Sequence, residues 1–105
     1  MKVLKAFYDL KVSPTTYDIT SFIFLAEMWR RAHDLDAIDL FILANDECDG
    51  FHKSEKDTPK EQKEWMLHHV LLRCDTLVKA CRRSVYVPDR EEARTLLRRA
   101  RFLYP

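Results

Sequence analysis

Apolar residues along the chain follow two rhythms. Three compact apolar runs alternate with three longer stretches in which apolar residues recur every three or four positions. The runs are VLKAFYDL at 3–10, AIDLFILAN at 37–45 and SVYV at 84–87, the last stopped by Pro88. The second is nearly continuous, the pattern of a strand covered on both faces.

The helical stretches carry start signals. The first begins near Thr15 or Thr16 and buries Ile19, Phe22, Ile23 and Ala26. The second, TPKEQKEWMLHHVLLRCDTLVKACRR at 58–83, opens with Thr58 as N-cap, Pro59 at the first helical position and Glu61 completing a capping box. Its stripe is Leu67, Val70, Leu71, Cys74, Leu77, Val78 and Cys81. The third, DREEARTLLRRA at 89–100, repeats the device with Asp89 as cap and Glu92 three residues on.

The order βαβαβα predicts one α/β domain over 1–105. Its sheet is small, parallel and three-stranded with right-handed crossovers, half of a Rossmann-like fold. The long apolar second run belongs in the middle, which favours strand order 3-2-1 over 2-1-3. After Ala100 the chain runs into RFLYP, an apolar burst that should begin another packed element. The expectation is the N-terminal half of a larger two-domain protein.

Composition adds limits. An apolar fraction of 47% is enough for a real core. The net charge of +1 argues against a general nucleic-acid binder. The charge is uneven: residues 1–72 hold 9 Lys/Arg against 13 Asp/Glu, and 73–105 hold 9 against 4. Cys48, Cys74 and Cys81 form no CxxC pair, a pattern of reduced thiols and a cytoplasmic setting. Lys5 and Asp9 interrupt the apolar N-terminus, so neither a signal peptide nor a membrane span is expected.

With Gly50 as the only glycine, there is neither a G-x-G-x-x-G turn nor a phosphate loop. Asp9 at a strand end resembles the D-x-D of haloacid-dehalogenase-type phosphoryl transferases. Lys11 replaces the second acid, however, and would repel the magnesium such chemistry needs. NDECDGFHKSEK at 45–56 starts like a calcium loop but has Lys56 where the bidentate Glu belongs. Its charge density predicts a mobile, solvated loop. His68 and His69 are adjacent, about 100° apart on a helix, and cannot share one metal. No metal and no cofactor are expected. Arg90, Arg94, Arg98 and Arg101 form a basic row that reads as a solvated face or a contact to a second domain. His33 should serve the C-terminal carbonyls of the first helix.

FYDLKVSPTTYDITSFIFLAEMWR, IDLFILANDECDGFH, KEWMLHHVLLRC and SVYVPDREEARTLL together resemble the N-terminal region of bacterial glycosyltransferase-like proteins of the two-domain GT-B type. The resemblance covers nearly the whole chain, and FYDL…SPTTYD is its most distinctive part. It implies an acceptor-side domain that is inactive alone, with donor binding left to a C-terminal half. It carries no catalytic residue over. The ANDECDGFH loop departs from the small turn expected there.

In a parallel α/β sheet, ligands sit beyond the carboxyl ends of the strands. The polar residues placed there are Asp9, Lys11, Ser13, Thr15 and Thr16; Asn45, Asp46, Asp49 and His52; Asp89 and Arg90. Without glycines, recognition falls to hydroxyls, carboxylates and amides, the groups that bind sugar hydroxyls. A saccharide or sugar-containing acceptor is the expected ligand, although capping accounts for at least half of this polarity. The competing reading is a small stand-alone interaction module that dimerises through a sheet edge or through Phe102, Leu103 and Tyr104.

Overall fold

The computed structural model describes residues 1–105. The elements are β1 (Val3–Asp9), α1 (Asp18–Ala32), β2 (Ala37–Leu43), α2 (Lys60–His69), β3 (Cys81–Val87), α3 (Arg90–Arg99) and β4 (Phe102–Tyr104). Short 3₁₀ turns occupy Cys48–Gly50, Lys53–Glu55 and Leu71–Thr76. The sheet has four strands in the order β3-β2-β1-β4, and every pairing is parallel.

The expected order 3-2-1 is present, and the strand count is corrected from three to four. The burst after Ala100 is β4, with Leu4 opposite Phe102 and Ala6 opposite Tyr104. It was legible as an apolar element but not as a strand, because three residues show no period. Phe102 and Tyr104 pack toward β1 and α1, while β4 forms one edge of the sheet with Leu103 39% exposed.

Alternation along β1 and β2 splits the core into two layers. Leu4, Ala6 and Tyr8 with Ile38, Leu40 and Ile42 face α1, α2 and the 71–76 turn. Phe7, Phe41 and Leu43 face Ala93 of α3. Right-handed crossovers place α1 and α2 on one face and α3 on the other. All seven residues of β2 are buried, as its continuous pattern requires.

The second helix is much shorter than its pattern. It ends at His69, and the chain continues as the 71–76 turn before β3 starts at Cys81, three residues earlier than expected. Geometry explains the break. A crossover only has to span a seven-residue strand, roughly 23 Å, whereas a helix over 58–83 would run about 39 Å. Leu71, Cys74 and Val78 still reach the core, through the turn rather than through a helical stripe. Thr58 does not cap α2, because Pro59 holds the cap position and no side chain serves it. Asp89 does cap α3, accepting a hydrogen bond from the Glu91 amide at 3.0 Å. His33 does serve the end of α1, its Nδ1 lying 2.9 Å from the Trp29 carbonyl.

The 45–56 segment is solvated along its charged positions, with Asp46, Glu47, Asp49, Lys53 and Lys56 exposed, but it is anchored at two buried residues, Asn45 and Phe51. Phe51 is only 2% exposed within the larger core layer, and the Asn45 side-chain amide donates to its carbonyl at 2.9 Å. The turn before Phe51 is left-handed at three successive residues, with φ of 52° at Cys48, 58° at Asp49 and 92° at Gly50. At Gly50 a Cβ would also lie 3.2 Å from the Tyr86 hydroxyl oxygen, so glycine suits the position twice over.

Candidate functional site

A doubly wound sheet has its binding crevice where successive crossovers leave in opposite directions. Here that point lies between β1 and β4: the chain leaves β1 over one face toward β2, and reaches β4 from β3 over the other face. A cleft of about 340 Å³ sits there, lined by Tyr8, Asp9, Ser13, Phe22, Leu97 and Tyr104 among others.

Its walls are mainly apolar, with four aromatic rings among them. Phe22 of α1 meets Tyr8 edge-on, with ring centroids 5.2 Å apart, and tilts against Tyr104 at 5.4 Å. The Tyr8 hydroxyl donates to the Pro14 carbonyl at 2.6 Å, which fixes the loop that carries Ser13. Burial first, then the charges of Asp18 and Glu55, push the Tyr8 phenol well above the ordinary tyrosine range. It stays a neutral donor at any physiological pH.

Asp9 closes the polar side. Its Oδ1 accepts from the Lys11 amide at 2.9 Å and from Arg90 at 2.8 Å, while Oδ2 accepts from Arg90 at 3.3 Å. Arg90 also donates to the Ala44 carbonyl at 3.0 Å, so one guanidinium ties together the loops after β1, β2 and β3. With both oxygens of Asp9 occupied and a cation against them, the carboxylate is a positioning group rather than a ligand for a divalent ion.

The other polar residues named from the sequence are dispersed. Lys11 pairs with Asp46 at 3.5 Å across exposed loops. Thr16 accepts from the Asp18 amide at 3.3 Å at the start of α1, and Asp89 caps α3. Asn45 is buried and braces its own loop, accepting from the Glu47 amide and donating to Phe51. His52 accepts from the Ser54 amide at 3.1 Å, and Asp49 lies in the left-handed turn. Thr15 is 2% exposed with a hydroxyl that meets no partner, and its amide donates to Glu55 at 2.6 Å. Of the eleven, only Asp9 and Ser13 line the cleft, with Arg90 behind Asp9.

Sequence reading missed the aromatic lining. Tyr8 and Phe22 look like core positions, and Leu97 belongs to the buried stripe of α3. Tyr104 reaches the cleft only because β4 pairs with β1. The one available signal was Tyr8 standing directly before the strand-ending Asp9. Glu55, which joins the loop after β2 to the loop after β1, was also missed.

No three His, Cys, Asp or Glu side chains converge as a metal site would require. No helix is long and apolar enough to cross a membrane. No protein-family model matches the chain, and neither curated proteins nor solved structures yield a match.

Proposed function

We propose that this chain is the acceptor-side, Rossmann-like domain of a glycosyltransferase-like protein, and that the cleft between β1 and β4 holds one sugar ring of the acceptor. The observation that carries this reading is the composition of the cleft. Phe22 and Tyr104 offer partly exposed aromatic surface over the buried Tyr8 ring, Ser13 a half-buried hydroxyl and Asp9 a held carboxylate. Aromatic faces pack against the C–H side of a pyranose, and hydroxyls and carboxylates take its O–H groups.

The same composition argues against a nucleotide here. Arg90, behind Asp9, is already committed to that carboxylate, and no glycine-rich turn brings backbone amides to a phosphate. Donor binding, and with it turnover, would then belong to a separate domain, and this chain alone would be inactive.

The test is titration with neutral hexoses and N-acetylhexosamines, followed by amide NMR. Binding should move Asp9, Val12, Ser13, Phe22, Leu97 and Tyr104 and leave Asn45, Asp49 and His52 unchanged. Absence of any shift at millimolar sugar overturns the reading. Shifts produced by a nucleoside diphosphate instead would reassign the cleft to a donor.

A further inference from the structure

A surface helix should be apolar on one side and polar on the other, and α1 is not. Ile19, Ile23 and Ala26 face the sheet and are fully buried, which accounts for one side. The opposite side carries Tyr17, Phe24, Leu25 and Met28, which are 64%, 50%, 51% and 66% exposed. At 3.6 residues per turn, the stripe Tyr17, Ser21, Phe24, Met28 is spaced four, three, four, as in the seam of a helix pair. Leu77, 47% exposed, extends the patch across a groove beside Phe24 and Met28. The uncovered area is on the order of 600 Å², at the upper end of what a monomer leaves open and close to one side of a standard interface.

We propose that this face binds a second copy of the chain, with the two α1 helices antiparallel about a two-fold axis between Phe24 and Leu25. That register is self-complementary at every step. Met28 of one copy lies over the small Ser21 of the other, Tyr17 over Ala32, and Phe24 against Leu25. Ser21 and Ala32 are both exposed, so nothing within the chain fills the space above them. The charges agree: Asp18, exposed in the first turn, faces Arg31, which holds Glu27 of its own helix through Nε at 2.9 Å and is still 74% exposed near the last turn. Parallel helices would instead set Asp18 against Asp18 and Arg31 against Arg31, which is repulsive. The surface lies on the outer side of α1, so dimerisation leaves the cleft between β1 and β4 open and is independent of its occupant.

Sedimentation equilibrium of the whole chain is the test, with circular dichroism confirming the fold of each variant. The wild type should dimerise in the micromolar range. Phe24→Glu and Met28→Lys, both at solvent-facing positions, should be monomeric with unchanged dichroism. Asp18→Arg and Arg31→Asp should each weaken dimerisation by about tenfold, and the double exchange should recover most of the loss. A wild type that stays monomeric to millimolar concentration overturns the proposal and leaves the face to a different protein. So does a dimer that survives Phe24→Glu, or a double exchange that fails to recover.

Discussion

Arg90, the first residue of α3, donates to both carboxylate oxygens of Asp9, the last residue of β1, at 2.8 and 3.3 Å. The two lie 81 positions apart in sequence, and their side chains are about a quarter exposed. The pair fixes the carboxyl ends of β1 and β3 relative to each other, and therefore the shape of the cleft. Asp9→Asn and Arg90→Gln should each cost about 1–2 kcal/mol in urea unfolding, less than a fully dry pair would because solvent screens this one. The double variant should lose less than the sum, with a coupling of about 1 kcal/mol. Strictly additive losses would mean that the pair contributes nothing.

Asp39 is fully buried in the central strand, with Lys5 at 2.8 Å, Arg82 at 2.8 Å and Arg83 at 3.4 Å. Burial pushes its carboxyl up. Hydrogen bonds from Arg82 and Lys5 and the charges of Lys5 and Arg83 outweigh that, and hold it below the ordinary range. A carboxyl depressed in the folded state contributes stability that is whole above its unfolded pKa of about 3.9 and is lost as pH falls through the folded value. Thermal unfolding should therefore be insensitive to this group from pH 8 to 5 and weaken steeply below pH 4. Asp39→Ala should cost about 2–4 kcal/mol at pH 7 by leaving Lys5 beside the apolar Phe7–Phe41 stack without its counter-ion. It should also flatten that acid limb, and an unchanged limb would assign the acid sensitivity elsewhere.

Thr15 tests whether a polar residue at a strand end is a ligand or packing. Its hydroxyl is buried without a partner, so Thr15→Val removes an unpaired group at nearly constant shape. Stability should be unchanged or rise by up to about 1 kcal/mol, and sugar binding should be unaffected. A loss above 1 kcal/mol would show that the hydroxyl has a partner in solution.

The three thiols should separate by reactivity. Burial pushes Cys74 and Cys81 up to about 11, with the charge of Asp75 adding to both, while Cys48 is only half-buried in its turn. Native iodoacetamide labelling at pH 7.5, read by peptide mass, should modify Cys48 first and leave the other two until urea is added. Early labelling of Cys81 would place it outside the core.

The sequence by itself determined whatever rests on local rhythm and local chemistry. The continuous apolar run of 37–45 could only be a strand covered on both faces, and all of Ala37–Leu43 is buried. Asp89 capped its helix as read, because a cap needs only an acceptor two or three residues before an amide. The same runs favoured strand order 3-2-1 over 2-1-3 without excluding the second, and the sheet adopts the first with β4 added beyond β1. Tertiary structure alone decided the rest. The stripe of 67–81 carried a helical period, yet the crossover had only one strand length to span, so the helix stopped at His69 and Cys81 began a strand. Cys81 and Arg83 sit in that strand because their partners are Ile38 and Asp39, which no local pattern reveals. RFLYP became β4 only by pairing with β1, and that pairing set Tyr104 beside Phe22 at the cleft. Of the polar residues named at the strand ends, most were spent on caps and loop braces. A side chain's partner depends on which loops the sheet brings together, and that is settled by contacts between residues far apart in the chain.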